Sequence, residues 1–299
     1  MRSFNDILET LKGTEKRVIS VACAQDDDVL LAVESARERD IADAVLVGDA
    51  DRIREIAEEK GIDLNNYKIV DIKDKNEAAR EAVRIVSTGQ ADMLMKGIIG
   101  TADFLRAVLD KEIGLRTGRV LSHVAVFEIP GFDRLMLLTD VAMVIAPDLK
   151  TKIDIIQNAA EVAEKIGIAK PKVAALAAVE VVNPDMPSTL DAAALAKMSD
   201  RGQLKDIIVD GPLALDNAVS LEAARHKGIT SEVAGMADIL LAPDIEAGNV
   251  LYKAITYFAG GMVSGIVMGA KAPIILTSRS DSDEAKLNSI ALATLVSSK

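Results

Sequence analysis

Ser278 and Arg279 close the apolar run APIILTSR and stand just ahead of a helix-forming stretch, SDEAKLNSIALAT. In an open α/β sheet, ligands bind outside the carboxyl ends of the strands. A hydroxyl and a guanidinium placed there, beside the unpaired N–H groups of a helix start, suit an oxyanion such as phosphate. The layout returns in ADILLAPDIEAGNVLYKAITYFAGG, residues 237–261, as an apolar strand, a Pro243-Asp244 turn, Gly248-Asn249, and a helix with Tyr252 and Lys253. Glycine admits close backbone approach and Asn249 offers a hydrogen bond to a ligand oxygen. Asp244, Gly248, Asn249 and Lys253 are equally ordinary turn and helix-start residues. N-capping likewise suffices for Ser278, Asp281 and Ser282. Arg279 has no such excuse, because a cation is not favoured at a helix start. Two elements of this kind point to an enzyme that handles a phosphorylated substrate.

Other chemistries are narrowed by what is missing. The chain has no G-x-G-x-x-G, no Gly-Lys pair for a phosphate loop and no G-x-S-x-G elbow. Its two histidines, His123 and His226, are too few for a His-rich zinc site. His226 ends a helical run, where a cation complements the dipole. His123 lies on a strand near the middle of the chain and reads as structural, as does Cys23 inside VISVACAQ.

These residues must be held by a regular frame. Apolar strand patterns at 17–24, 42–49, 66–72 and 91–97 alternate with helical patterns at 26–39, 50–61, 76–89 and 98–112. Such alternation means βαβ units and a parallel sheet. From Arg119 the rhythm changes. Residues 119–129, 133–140 and 141–148 read as three strands in quick succession, a local meander with antiparallel pairing. A domain boundary is expected there. Further on come a helix at 152–167, a strand at 172–180 and a helix after 181–191, where Ser188 and Asp191 are spaced as a capping-box variant. Strand-plus-tip units follow at 205–216 and 237–244, and periodicity leaves open which sheet the last strand, 272–279, joins.

The 299 residues suffice for one or two domains, and aromatics are only 3%, so the core is built from aliphatic side chains, as in helix-covered parallel sheets. A net charge of −11 repels nucleic acid and anionic membranes, so a phosphate site must be a local basic pocket. A single cysteine fits a reducing compartment, MRSFNDILETLKG reads as an amphipathic helix and not a signal peptide, and no stretch suits a membrane span. A soluble cytoplasmic protein is expected.

At MKGIIGTADFLRAVLDKEIGLR, NPDMPSTLDAAALAKM, DGPLALDNAVSLEAARHKGI and the two segments above, the chain resembles the phosphate acetyl- and butyryltransferase family. The match spans most of the chain from Met95 onward. It implies reversible transfer of a short acyl group, of butyryl length, between coenzyme A and inorganic phosphate by direct attack in a ternary complex. Coenzyme A is then a co-substrate, with no bound cofactor and no metal, and a homo-oligomer is expected. The implied architecture is α/β, with two lobes of mainly parallel sheet flanked by helices around a cleft, similar to isocitrate and isopropylmalate dehydrogenases. The first domain is 1–121 plus 276–299, and the second is 122–275. By resemblance Ser278 and Arg279 belong to the active site, and Arg106 matches an arginine serving it. Lys96 at the Lys-Gly strand tip, Asp244, Gly248, Asn249, Tyr252 and Lys253 bind substrate. The family's acetyltransferases carry a catalytic Asp a few residues beyond the Ser-Arg pair, where this chain has Ala285. Asp281, Asp283 and Glu284 are the carboxylates on offer, with Glu284 and Asp283 taken as catalytic and Glu284 ranked first. Acetyl transfer, an NAD-dependent dehydrogenase of related fold and a sensor without turnover are the competing readings.

Overall fold

Aspartates just ahead of apolar-periodic runs set where the first helices begin. The computed structural model describes residues 1–277 and 281–298. After α1 (Phe4–Leu11) come β1 (Arg17–Ala22), α2 (Asp27–Glu38), β2 (Ala42–Gly48), α3 (Ala50–Lys60), β3 (Lys68–Asp71), α4 (Lys75–Ser87), β4 (Met93–Lys96) and α5 (Thr101–Val108). Asp26, Asp49 and Asp74 cap α2, α3 and α4, each carboxylate accepting from N–H groups of the first turn. Each cap relieves donors that the helix cannot pair itself. The strands run parallel in the order β3-β2-β1-β4, with Val21 of β1 opposite both Leu46 and Met95. Ile19, Val21, Leu46, Met93, Leu94 and Met95 are completely buried, as befits a sheet covered on both faces.

The middle of the chain builds a second frame. Its strands are β5 (Ser122–Glu128), β6 (Met136–Thr139), β7 (Lys172–Leu176), β8 (Ile208–Leu213) and β9 (Ile239–Leu241). Between and after them lie α6 (Leu149–Lys165), α7 (Pro187–Asp200), α8 (Leu215–Val219), α9 (Leu221–His226) and α10 (Ile245–Tyr257). β5 and β6 pair antiparallel, as the change of rhythm leads one to expect. The third expected strand of that meander, residues 141–148, does not form. Asp140 turns the chain there instead, its carboxylate accepting from the N–H groups of Ala142, Met143 and Val144. Beyond that turn β6, β9, β7 and β8 are parallel neighbours in that order. The capping box at Ser188 is also absent. α7 starts with Pro187 at its first position, which needs no N–H, and Asp191 is drawn off to Lys152.

The chain then closes with β10 (Met262–Met268), β11 (Ile274–Ile275) and α11 (Asp283–Ser297). β10, with Ser264 and Gly265 inside an apolar run, is a strand the sequence reading passes over. β11 is parallel to β4 and antiparallel to β10, which settles where the last strand pairs. By packing, the chain forms two compact units. A terminal unit comprises Phe4–Arg119 and Ser264–Lys299, and a central unit comprises Val120–Val263 with Met1–Ser3. In the terminal unit α11 buries Leu287, Ile290 and Leu292 against α1 and α2. Each such side chain contributes roughly 1.5–3 kcal/mol by leaving water. No helix of the described residues is long and apolar enough to cross a membrane.

Candidate active site

In the terminal unit, the carboxyl ends of β1, β4 and β11 lie side by side, because all three strands are parallel. Ile274 and Ile275 stand opposite Leu94 and Met95. Lys96 therefore ends β4 level with the residues through which the chain leaves β11 toward Ser278-Arg279. Ser278 and Arg279 themselves lie outside the described residues. Lys96 is held in place, its Nζ donating to the carbonyls of Gly97 and Ile99, each at 3.1 Å. Gly97 is required beside it. A Cβ there would sit 2.2 Å from the Cys23 carbonyl oxygen and 2.7 Å from that of Ala22. The Lys-Gly tip is thus pressed against the end of β1.

Of the carboxylates near α11, Asp283 and Glu284 both lie exposed in its first turn, where the dipole favours acids. Ser282 caps the helix, accepting from Ala285 N–H. Arg106 projects from α5 with 73% of its side chain exposed and pairs with Asp103 of the same helix at 2.6 Å. The sequence reading missed Lys286. Only 4% of its side chain is exposed, and Nζ lies 3.2 Å from Asp28 Oδ2 of α2 and 2.8 Å from the Asp281 carbonyl. One signal was present: a lysine in the first turn of a helix opposes the macrodipole.

In the central unit, the remaining candidates share α10, which begins where β9 ends. Asp244 caps it, its Oδ1 accepting from Ala247 N–H at 2.8 Å. Gly248 is buried against the exit of β6, where a Cβ would meet the Asp140 carbonyl oxygen at 2.3 Å and Val141 Cα at 3.2 Å. Asn249 Nδ2 donates to the Val141 carbonyl at 3.2 Å. One turn on, the Tyr252 ring meets Phe127 edge-on at 5.4 Å and His123 at 6.3 Å. Lys253 Nζ lies 5.0 Å from the centre of the Tyr252 ring and 5.8 Å from that of Tyr257, within cation–π range. Gly248 and Asn249 thus have defined structural work in this unit, docking the start of α10 onto the turn after β6, while the Asp244 carboxylate caps the helix.

That turn is electrostatically unusual. Asp140 is almost fully buried, and burial raises its pKa against the lowering effect of its backbone N–H partners. His123, on the neighbouring strand, is pushed down to about 4 by burial, and its Nδ1 has no hydrogen-bond partner. Cys23 is buried too, its Sγ donating to the Lys75 carbonyl at 3.4 Å, and burial pushes the thiol up to about 11. Such a thiol stays protonated and is a poor nucleophile.

A cavity of about 850 Å³ opens at the carboxyl ends of β7 and β9, between the first turns of α6, α7 and α10. Its walls are mostly apolar, including Leu176, Ala178, Ala247 and Val250. Lys152 and Asp191 join in an ion pair of 2.6 Å at its edge, with the lysine side chain 6% exposed. Among the described residues, no three His, Cys, Asp or Glu side chains cluster as metal ligands.

Comparison with known proteins adds the following. The family model described as phosphate acetyl/butaryl transferase matches residues 3–84 and 74–294. The phosphate butyryltransferase of Clostridium acetobutylicum is 58% identical over 296 residues, covering 99% of this chain and 98% of that protein. The phosphate acetyltransferase of Thermotoga maritima is 47% identical over 287 residues, 96% of this chain and 97% of that protein. Among solved structures, a branched-chain phosphotransacylase from Enterococcus faecalis superimposes with a TM-score of 0.84 at 39% identity, covering 94% of this chain and 99% of the other. A 4-hydroxythreonine-4-phosphate dehydrogenase from Klebsiella pneumoniae shares the fold alone, with a TM-score of 0.57 at 12% identity over 95% of this chain and 100% of the other.

Proposed function

The chain belongs to the phosphate acetyl/butaryl transferase family, and from that premise we propose that it is a phosphate acyltransferase, moving a short acyl group of butyryl length reversibly between coenzyme A and inorganic phosphate. The observation that carries this reading is the level exit of two neighbouring parallel strands in the terminal unit. Lys96 ends one of them, and the other runs on to Ser278-Arg279. A strand-end edge of this kind is where an α/β sheet binds ligands.

In the reaction, a phosphate oxygen attacks the thioester carbonyl, the carbon becomes tetrahedral, and the thiolate of coenzyme A departs and takes up a proton. Arg279 holds the phosphate through its planar fork, and Lys96 adds positive charge at the same edge. Charge growing on the carbonyl oxygen is met by the Ser278 hydroxyl and backbone N–H groups. In the reverse direction the thiol, with an ordinary pKa near 8.5, must lose its proton. A carboxylate among Asp281, Asp283 and Glu284 serves as the base, Glu284 first. Both of the last two face solvent in the first turn of α11, with Asp283 Oδ1 3.8 Å from Lys286 Nζ. Arg106 of α5 adds to the substrate surface of the terminal unit, and Asp244, Asn249, Tyr252 and Lys253 are substrate-binding residues of the central unit. No covalent enzyme intermediate is needed. Alignment of two bound reactants supplies much of the rate, with effective molarities of about 10⁵ M or more.

We further propose a cytoplasmic homo-oligomer. The exposed apolar residues Val250, Tyr257 and Phe258 on and after α10 support a covered face in an assembly. The reading is tested by following thiol release from acetyl-, propionyl-, butyryl- and isobutyryl-CoA with inorganic phosphate. Phosphate-dependent release, greatest with the four-carbon substrates, is expected. Release that ignores phosphate would overturn it, and a maximum with acetyl-CoA would move the assignment to acetyl transfer.

A further inference from the structure

The cavity at the carboxyl ends of β7 and β9 lies wholly within the central unit. Leu176, Met186, Val250 and Leu251 line it, and its volume of about 850 Å³ falls in the range of small-molecule sites. One ammonium is set into this apolar wall. Lys152 lines the cavity with only 6% of its side chain exposed. An ammonium carries three donors. Among the described residues Nζ makes one hydrogen bond, to Asp191 Oδ2 at 2.6 Å. Buried donors are ordinarily satisfied, so this wall calls for an acceptor. Charge decides which kind. The lining holds one cation, Lys152, and two carboxylates, Asp191 and Asp244, and so carries a net negative charge. Asp148, the cap of α6, adds another carboxylate near Lys152, engaged by Thr151 N–H. Such a wall disfavours phosphates and carboxylates. It suits a neutral chain whose carbonyl oxygen accepts from Lys152 and whose N–H donates to Asp191, a side chain that is 30% exposed. An apolar chain interrupted by secondary amides has both groups.

We propose that this cavity takes the pantetheine arm of acyl-CoA, the neutral amide-bearing half of the co-substrate, with an amide carbonyl on Lys152 Nζ and an amide N–H on the Asp191 carboxylate. The inference rests on the acyltransferase reading for the identity of the ligand. It adds which half of the co-substrate the central unit holds, and it gives Lys152 and Asp191 a binding role. That role also accounts for the charges themselves, since a buried ion pair is often replaced by apolar side chains without loss of stability. The pair Lys152→Met with Asp191→Leu removes both amide partners and keeps the site apolar. Ala247→Leu narrows the cavity from α10 and alters no charge.

The experiment has two readouts on the full chain. Binding is followed by NMR of the Met186 and Leu251 methyl groups during titration with free pantetheine. Both signals should shift in the wild type, and the shifts should be lost in the double variant and in Ala247→Leu. Steady-state kinetics gives the second readout. KM for butyryl-CoA should rise about tenfold in the double variant, the equivalent of one charge-assisted hydrogen bond, with KM for phosphate unchanged. Butyryl-pantetheine, which lacks the nucleotide, should show the same fold-change. Free pantetheine should compete with butyryl-CoA in the wild type. Methyl signals that ignore pantetheine, or KM for butyryl-CoA at the wild-type value in both variants, overturn the proposal. So does a change confined to butyryl-CoA, which would put the nucleotide in the cavity, or inhibition by pantetheine that butyryl-CoA does not relieve. If the wild type turned over no acyl-CoA, the acyltransferase reading would fall, while the methyl shifts would still judge the cavity.

Discussion

Gly248→Ala is the smallest change that separates the docking of α10 from everything else. The added methyl would sit 2.3 Å from the Asp140 carbonyl oxygen, 3.1 Å from Ala242 Cβ and 3.2 Å from Val141 Cα. All three neighbours belong to backbone or to a side chain with no freedom to rotate away, so α10 itself must retreat by about 1 Å to restore ordinary contact. Retreat strains the 3.2 Å bond from Asn249 to the Val141 carbonyl and pulls at the carboxylate nest that Asp140 forms for residues 142–144. Overpacking of this kind destabilises by about 1–3 kcal/mol, and the strained hydrogen bond adds about 1 kcal/mol. Alanine is the better helix former by roughly 1 kcal/mol, which offsets part of the sum. A net loss of about 1–3 kcal/mol is expected, read as a lower urea midpoint at unchanged slope. Because Asp244, Asn249, Tyr252 and Lys253 all ride on α10, kcat/KM in the thiol-release assay should fall by about 100-fold in protein that is still folded. If both stability and rate stay at wild-type levels, α10 does not need its close approach to the turn after β6, and the structural account of Gly248 fails.

Arg279→Ala should cripple turnover by about 2.7–4 kcal/mol while the thermal midpoint holds, with Arg279→Lys recovering only part because an ammonium lacks the planar fork; a near-normal rate would put the phosphate elsewhere. His123 is held down to about 4 against an ordinary 6.5. Between those pH values only the unfolded chain takes up the proton, so stability should decline on acidification, approaching about 3 kcal/mol near pH 4. Urea midpoints from pH 7 to 4.5 should show a shallower decline in His123→Phe, and an identical decline would refute the assignment. Asp191→Asn leaves the ammonium of Lys152 buried without its counter-charge and should cost about 3–5 kcal/mol, whereas the pair Lys152→Met with Asp191→Leu should recover most of it; a double variant as unstable as the single would show that apolar packing cannot replace the pair.

Much of the frame was legible in the residues. The helical patterns from 26, 50 and 76 and the apolar strands between them are local signals, and local signals survive folding. The antiparallel step after Arg119 was readable for the same reason. What could not be read depends on distant partners. Residues 141–148 are apolar enough for a strand, but the Asp140 carboxylate gathers their N–H groups into a turn. Ser188 and Asp191 have capping spacing, but Lys152, 39 residues away, claims the aspartate. Which sheet the last strand joins was open until the pairing of β11 with β4 was seen. For the candidate site, the sequence reading marked strand ends as ligand-binding edges and gave Gly248 and Asn249 no packing role. It also passed over Lys286, whose partner Asp28 lies 258 residues away.

The pairing of β11 between β4 and β10 also bears on how the protein is made. When the chain up to Arg119 has left the ribosome its four parallel strands are present, but β4 has no neighbour on its outer side and α1 and α2 lack the helix that covers them. Those partners follow only after the whole central unit, so the earlier part of the terminal unit must wait for the later while the central unit has all its strands. Sheet pairings over such sequence separations form slowly, and open strand edges invite association in the meantime. A nascent chain stalled before Ile274 would carry a finished centre and an unfinished, sticky beginning. Deleting α11 should therefore disable α1 and α2, a lesion felt far in sequence from where it is made.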